Sequence, residues 1–216
     1  MENLKDFADL TQHMDAVKNA ASTPLFIGIT GYGGAGKTTL MQTLARCYNA
    51  ISLPLDYFAP ATVDRKQRIA QALESGDPQR ICETENPQNW YDWPAVYAAL
   101  DDLRAGRNVH LTDAWNQQNG LRDLEVTIPA PKNAEDLVLV DCIYLAHPEM
   151  RQRLDYILLI DLPIDEALAR QRARDGHRSD PIYLDFKARL MRDYAQPYLA
   201  QHEAVFDWRI SGVSQQ

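Results

Sequence analysis

The chain has 216 residues, of which 45% are hydrophobic and 24% charged, and this composition is typical of a globular protein that buries a core without disulfides or metals. It excludes disordered, collagenous and coiled-coil chains. The net charge of −8 predicts no general attraction to nucleic acid or to an anionic membrane, so any anion must be held by a local site.

The cysteines and the first residues bear on where the protein works. Cys47, Cys82 and Cys142 lie far apart with no C-x-x-C spacing, which argues against a disulfide framework and a zinc cluster and indicates a reducing compartment. The first 20 residues are charged and do not have the pattern of a signal peptide, and no run of about 18 apolar residues could span a bilayer. We therefore expect a cytoplasmic protein.

In chain order, apolar residues from Leu4 to Val17 recur at spacings of three and four, which predicts an amphipathic helix within residues 1–23. A continuous apolar run at 24–30 predicts a buried strand, and a glycine-rich turn and a helix at 38–49 follow it. Further strands are expected at 51–55, 108–113, 137–144, 156–161 and 205–210, with helices near 62–75, 94–105, 163–175 and 182–202.

This alternation predicts an α/β protein with a mainly parallel sheet and helices on both faces. Residues 76–93 have two prolines and little regular period, so we expect a connecting or substrate-facing loop there. Residues 124–128 are a candidate extra edge strand. No repeat or low-complexity segment divides the chain, and we expect one domain over residues 1–216.

The turn after the first predicted strand fits a phosphate-binding motif. Residues 31–38 read GYGGAGKT, which matches G-x-x-x-x-G-K-[ST] between a strand and a helix. Glycines let backbone N–H groups approach a phosphate, while Lys37 would contact β- and γ-phosphate oxygens and the Thr38 hydroxyl would bind Mg²⁺. Thr39 either contacts an α-phosphate or only continues the helix. The candidate nucleotide-binding residues are Gly31, Gly33, Gly34, Ala35, Gly36, Lys37, Thr38 and Thr39.

A second cationic feature is the arginine-rich segment at 170–178. Arg170 and Arg174 are four residues apart and share a helical face, and Arg178 follows Gly176, which could act as a hinge. This segment, with a candidate lid at about 175–181, could close over a triphosphate and stabilise the charge of a phosphoryl group in transfer. The alternative is a solvated basic helix terminus. Because no N-K-x-D segment is present, GTP is disfavoured.

Five segments together resemble the uridine kinase and phosphoribulokinase family of P-loop kinases, over residues from about 25 to 211. They are ITGYGGAGKTT at 29–39, LDYF at 55–58, WYDWP at 90–94, VLVDCI at 138–143 and LARQRARD at 168–175. The resemblance implies a three-layer P-loop nucleoside triphosphate hydrolase fold and a kinase that uses ATP and Mg²⁺ on a small-molecule hydroxyl. It also implies that Asp56, after the second of the sheet's predicted strands, receives the proton of that hydroxyl.

The positions of Asp56 and Asp141 in the sequence also suggest roles independently of the resemblance. Asp56 stands at the carboxyl end of a predicted strand, where open α/β sheets bind ligands and a carboxylate can orient an attacking hydroxyl; the alternative is a turn-forming or capping aspartate. Asp141 ends the apolar run at 137–140 and would touch Mg²⁺ directly or through water. The family usually has glutamate then glycine here, so a structural role for Asp141 stays open.

The acceptor side departs most from the family. Trp93 stands where uridine kinases have a histidine, and Thr112 replaces an aromatic residue. Aromatic rings could stack on a substrate and carboxylates could bind sugar hydroxyls, or these residues could be loop aromatics and capping aspartates. The candidates are Asp56, Tyr57, Tyr91, Asp92, Trp93 and Asp113. Uridine is thus one acceptor among nucleosides, phosphorylated sugars and pantothenate-like acids, and a nucleotide-binding regulator without an acceptor is the alternative function.

Overall fold

A computed structural model describes residues 1–176 and 180–211. The chain forms two compact units: a sheet unit of Met1–Pro54 with Pro131–Gln216, and an inserted unit of Leu55–Ala130. The single domain expected from the sequence over residues 1–216 stays a prediction. No helix in the described ranges is long and apolar enough to cross a membrane.

The strands and helices of the described residues are numbered in chain order. The strands are β1 Glu2–Leu4, β2 Leu25–Thr30, β3 Ile51–Pro54, β4 Val109–Trp115, β5 Arg122–Ile128, β6 Leu137–Asp141, β7 Tyr156–Asp161 and β8 Trp208–Ser211. The helices are α1 Phe7–Ala20, α2 Lys37–Tyr48, α3 Thr62–Ser75, α4 Pro78–Glu85, α5 Trp93–Arg104, α6 Pro148–Arg151, α7 Ile164–Asp175, α8 Pro181–Leu190 and α9 Gln196–Gln201.

The sheet unit contains a six-stranded, fully parallel sheet in the order β1-β8-β7-β2-β6-β3. Every residue of β2 is buried, as expected of a central strand covered on both faces. Ile27 and Ile29 pack into a core with α1, α2 and α7, whereas a side chain at Gly28 would point at Leu145 and Leu154 on the other face. The predicted α/β fold class is confirmed.

The N-terminal prediction was partly wrong, because Leu4 belongs to a strand and not to the helix. It pairs with Ile210 in the edge strand β1. The side chain of Asp6 accepts a hydrogen bond from the backbone N–H of Asp9 at 2.9 Å, and such a cap sets the start of α1 at Phe7. A three-residue strand carries too little periodicity to be found from sequence.

The predicted helix at 182–202 is also interrupted. A π-helical turn, Met191–Ala195, separates α8 from α9. Pro197, in the first turn of α9, has no N–H for the α-helical hydrogen bond to Asp193, and a helix widens where such a bond is lost. The last strand is shorter than predicted, since Glu203–Val205 is a 3₁₀ turn.

The inserted unit consists of α3, α4, α5 and a separate antiparallel pair, β4 and β5. The strand predicted at 108–113 therefore does not join the parallel sheet, and residues 124–128 pair with β4 instead of extending that sheet's edge. Burial alternates along β5, which is typical of a strand with one covered face. Because the connection between β4 and β5 is short, β5 is the nearest strand with which β4 can pair, and the pairing is antiparallel.

The loop predicted at 76–93 was wrong. The side chain of Asp77 accepts hydrogen bonds from the backbone N–H groups of Gln79 and Arg80, and Pro78 occupies the first turn of α4. Both features favour helix initiation. A 3₁₀ turn, Pro87–Trp90, follows, so the prolines begin helices here instead of breaking them.

We expect the turn before β6 to make stability depend on pH. Hydrogen bonds from the backbone N–H groups of Asn133 and Lys132 to Asp136 lower the pKa of its carboxyl. Because the folded-state pKa lies below the unfolded value of about 3.9, this contribution is complete above that pH and is lost as the pH falls through the folded-state value. Asp136→Ala should lower the free energy of unfolding by about 1 kcal/mol at pH 7.

Urea unfolding of both proteins at pH 7 and under acid conditions measures this effect. Glu135→Ala is the matched control, because the Glu135 side chain is 81% exposed and its oxygen lies 3.8 Å from the Lys18 ammonium. A loss for Asp136→Ala that is the same at both pH values would contradict the argument.

Candidate functional site

The loop between β2 and α2 has the backbone of a phosphate cradle. Gly31, Gly34 and Gly36 have φ angles of 142°, 90° and 96°, values that side chains rarely allow. The Ala35 N–H donates to the Tyr32 carbonyl at 3.0 Å and closes the turn. The N-terminus of α2 follows at Lys37, and a helix N-terminus favours an anion.

Helix α7 packs directly on this loop. A Cβ atom added at Gly34 would overlap the carbonyl oxygen of Ala167, and one added at Gly33 would lie 3.1 Å from Nε2 of Gln171. Ala167 and Gln171 are four residues apart, so one face of α7 covers the loop. The glycines serve this packing as well as the backbone conformation.

Lys37 and Tyr32 set the charge of the loop. The Lys37 ammonium donates to the carbonyl oxygens of Gly31 and Tyr32 at 3.0 and 3.1 Å, which holds the cation over the loop. Burial, together with the negative charge of Asp161, raises the pKa of Tyr32. The loop therefore presents one cation beside a neutral phenol.

Thr38 and Asp141 come together at the carboxyl ends of two neighbouring strands. Ile29 of β2 pairs with Asp141 of β6, and the Thr38 hydroxyl donates to Oδ2 of Asp141 at 2.9 Å. Asp141 is 8% exposed, whereas Thr38 is exposed. A hydroxyl and a carboxylate oxygen are ligands that suit Mg²⁺, which keeps several waters and binds few protein groups.

The donor set is small. Within the described ranges no three His, Cys, Asp or Glu side chains group as a metal site, and Thr38 with Asp141 is the pair expected for Mg²⁺. Thr39 is exposed, and its backbone carbonyl accepts a hydrogen bond from the Thr43 hydroxyl, so its contact with an α-phosphate stays a prediction.

The arginines on α7 are held by neighbouring carboxylates. Arg170 donates to Glu166 at 2.6 Å and Arg174 donates to Asp175 at 2.9 Å. Burial opposes the charged form of Asp175, but hydrogen bonds from Arg174 and Lys187 lower the pKa of its carboxyl well below the ordinary value. Asp175 therefore anchors the end of α7 where the candidate lid begins. Arg178 lies outside the described residues, as do positions 177 and 179 of the lid predicted at 175–181.

Gln171 is a residue that sequence reasoning missed. It is 8% exposed, its Nε2 faces Gly33, and among the described residues its amide has no hydrogen-bond partner. The amide therefore has N–H donors available to an anion held by the loop. The available signal was its position four residues after Ala167 on the arginine-rich helix.

In the inserted unit, three predicted acceptor residues lie close together. The Tyr91 hydroxyl donates to Oδ1 of Asp56 at 3.3 Å. The ring centroids of Tyr91 and Trp93 are 5.4 Å apart. The indole N–H of Trp93 donates to the Gln88 carbonyl at 2.8 Å. Asp56 is exposed within the 3₁₀ turn Leu55–Phe58, which also holds Tyr57. A carboxylate and two aromatic faces thus form one group.

The other two predicted acceptor carboxylates are engaged elsewhere. Asp92 caps α5 by accepting from the backbone N–H of Ala95 at 3.1 Å, and Asp113 accepts from Arg122 at 2.9 Å across the β4–β5 pair. A capping role is the alternative that the sequence left open, and it fits Asp92, whereas the ion pair of Asp113 is a different structural role. Their binding of substrate hydroxyls stays a prediction.

The fold and the loop define a class: a parallel α/β protein whose central strand runs into a P-loop and a helix. Within that class, a sequence model of the Phosphoribulokinase / Uridine kinase family matches residues 26–207. The chain belongs to that family, as the resemblance implied.

Curated relatives are about a quarter identical to the chain over the residues that align. The uridine kinase of Schizosaccharomyces pombe is 26% identical over 157 residues, which are 69% of this chain and 31% of the relative. The uridine kinase of Clostridium perfringens strain 13 is 25% identical over 154 residues, 70% of this chain and 68% of the relative. The chain thus spans about a third of the length of the first relative.

Solved structures share the fold. A possible uridine kinase from Bacillus stearothermophilus has a TM-score of 0.60 at 14% identity, covering 94% of this chain and 99% of its own. The D-glycerate 3-kinase of Cryptococcus neoformans has a TM-score of 0.60 at 14% identity, covering 94% and 92%.

The contact between α7 and the loop predicts unequal effects of two glycine substitutions. Gly34→Ala should cost about 3 kcal/mol of stability, because backbone strain adds to the overlap with Ala167. Gly36→Ala should cost only about 1 kcal/mol, because its Cβ would have open space. Urea unfolding without ligand compares them, and equal losses would contradict the proposed packing.

We expect Gln171 to donate to a phosphate oxygen held by the loop. Gln171→Leu should weaken binding of a non-hydrolysable ATP analogue about tenfold by removing one donor, while the melting temperature stays unchanged. Titration calorimetry measures the affinity, with Gln201→Leu, at an exposed position of α9, as the control. Equal affinity in both variants would show that Gln171 only fills space.

Proposed function

We propose that this protein is an ATP- and Mg²⁺-dependent kinase that transfers the γ-phosphoryl group to a hydroxyl of a small molecule. The observation that carries the proposal is the hydrogen bond from Thr38 to Asp141 at the end of the P-loop. A hydroxyl and a carboxylate oxygen placed side by side are what a magnesium-bound triphosphate requires of a P-loop protein. Family membership supports the same class of activity.

The candidate residues of the sheet unit have different roles in this proposal. The backbone N–H groups of residues 31–37 and the Lys37 ammonium bind the phosphates. Thr38 and Asp141 hold Mg²⁺, which when bound neutralises charge on the phosphate oxygens. Arg170 and Arg174, with Arg178, stabilise the charge of the group in transfer. Arg170 and Arg174 must exchange their carboxylate partners for phosphate to do so.

Asp56 is the proposed proton acceptor. Its carboxylate is exposed and accepts from Tyr91, so it can orient a hydroxyl and take its proton. The Tyr91 and Trp93 rings offer apolar faces to the acceptor. The acceptor is proposed to be nucleoside-, sugar- or pantothenate-like, and the curated relatives named uridine kinase support uridine as one candidate.

An acceptor screen tests the proposal. ADP release is measured for the wild-type chain with ATP, Mg²⁺ and nucleosides, pentose phosphates, glycerate or pantothenate. Release stimulated by one acceptor supports a kinase. Tight ATP binding with no stimulation supports instead a nucleotide-binding regulator, and the absence of ATP binding overturns both.

Two variants separate binding from catalysis in the same assay. Lys37→Ala should weaken both nucleotide binding and turnover. Asp56→Asn should lower kcat by about 10²- to 10⁴-fold, the usual contribution of a general base, with ATP affinity nearly unchanged. Undiminished turnover in Asp56→Asn would remove Asp56 from catalysis.

A further inference from the structure

The inserted unit contains a cavity that the proposed catalytic group does not use. It has a volume of about 370 Å³, and its lining includes Arg65, Arg68, Arg80, Glu83 and Trp90. This volume is at the lower end of the range for small-molecule sites. Asp56 and Tyr91 do not line it, so it is a separate feature of the unit.

The cavity concentrates positive charge in an acidic protein. Arg65 and Arg68 are three residues apart on α3 and share a helical face, and Arg80 approaches from α4. Glu83 alone is acidic among the described residues of the lining, and its carboxylate accepts a hydrogen bond from Gln79 at 2.8 Å. The chain as a whole carries −8, so this local excess of cations runs against its general composition.

Part of the cavity wall is held in place. The Trp90 N–H donates to the Thr84 carbonyl at 2.8 Å, which fixes the indole. The Arg65 guanidinium lies over that ring, 4.6 Å from its centroid, within the range of a cation–π contact. A guanidinium positioned before the ligand arrives loses less entropy on binding.

The remaining two arginines are available to a ligand. Across residues 1–176 and 180–211, the guanidinium groups of Arg68 and Arg80 make no hydrogen bond or ion pair. Guanidinium groups match phosphate oxygens through paired N–H donors, and several of them suit a doubly charged anion better than a single carboxylate.

We propose that this cavity binds the phosphate group of a small molecule, at a site separate from the P-loop. Two sources share this chemistry. The phosphate can belong to the acceptor itself, since Trp90 adjoins Tyr91 in the chain and the Asp92 N–H donates to the Phe58 carbonyl at 3.1 Å. It can also belong to an effector that carries a phosphate group but does not accept the γ-phosphoryl group. Binding at the cavity does not rest on the proposed kinase activity.

Titration calorimetry of the full chain with glycerol 3-phosphate tests the site. Glycerol is the uncharged control and glycerate the carboxylate control. We expect binding of glycerol 3-phosphate that is stronger than that of either control. Binding should weaken about tenfold or more in the double variant Arg68→Gln, Arg80→Gln, since two charge-assisted contacts are lost.

Two further variants locate the binding. Lys66→Gln removes one positive charge from α3 without touching the cavity lining and should leave the affinity unchanged. Lys37→Ala should also leave it unchanged, because the P-loop is not the proposed site. Since Arg68 and Arg80 are exposed, their variant should keep the melting temperature of the wild type.

The results that overturn the proposal are distinct from those that overturn the kinase. Absence of binding, equal binding of glycerate, or loss of binding in Lys37→Ala but not in the arginine variant would each reject the cavity site. If the site is present, the kinase assay separates its sources. ADP release driven by glycerol 3-phosphate or another phosphate ester makes the cavity part of the acceptor site, whereas altered turnover of a different acceptor makes it an effector site.

Discussion

The hydrogen bond between Thr38 and Asp141 joins two residues 103 positions apart in the chain. It exists because β2 and β6 are parallel neighbours, with Ile29 beside Asp141, and parallel strands bring their carboxyl ends to the same edge of a sheet. The loop after β2 and the carboxylate at the end of β6 therefore meet without a dedicated connection. The candidate metal pair is a product of strand order.

The same loop is confined on its other side by α7. Glycine at position 34 lets the backbone approach the carbonyl of Ala167, closer than any side chain permits. That approach places Gln171 against Gly33. Arg170 and Arg174 lie on the same helix. The small residues of the motif thus have two physical reasons: they let backbone N–H groups approach an anion, and they allow α7 to pack closely on the loop.

The inserted unit shows how one residue type serves several purposes. Asp56, Asp92 and Asp113 were all candidate substrate contacts, yet the structure gives them different partners: a tyrosine hydroxyl, a helix N-terminus and an arginine. Of these, only the exposed Asp56 beside Tyr91 and Trp93 combines a carboxylate with aromatic faces. The arginine cavity beside α3 and α4 adds a cationic site whose members look like ordinary surface charges in the sequence.

The sequence by itself determined the fold class, the phosphate-binding loop and the family, because each is written in local spacing: an apolar run, a fixed glycine and lysine pattern, and a following helix. It also located Asp56 and Asp141 as carboxylates that follow strands. It failed at β1, at the helix Pro78–Glu85 and at the pairing of β4 with β5, where capping side chains and strand partners outweighed the local pattern. Only the tertiary structure decided that Gln171 lies against the loop, that Asp92 is a cap and that three arginines line one cavity. Such contacts depend on which elements pack against each other, and the local spacing of residues in the sequence does not specify that packing.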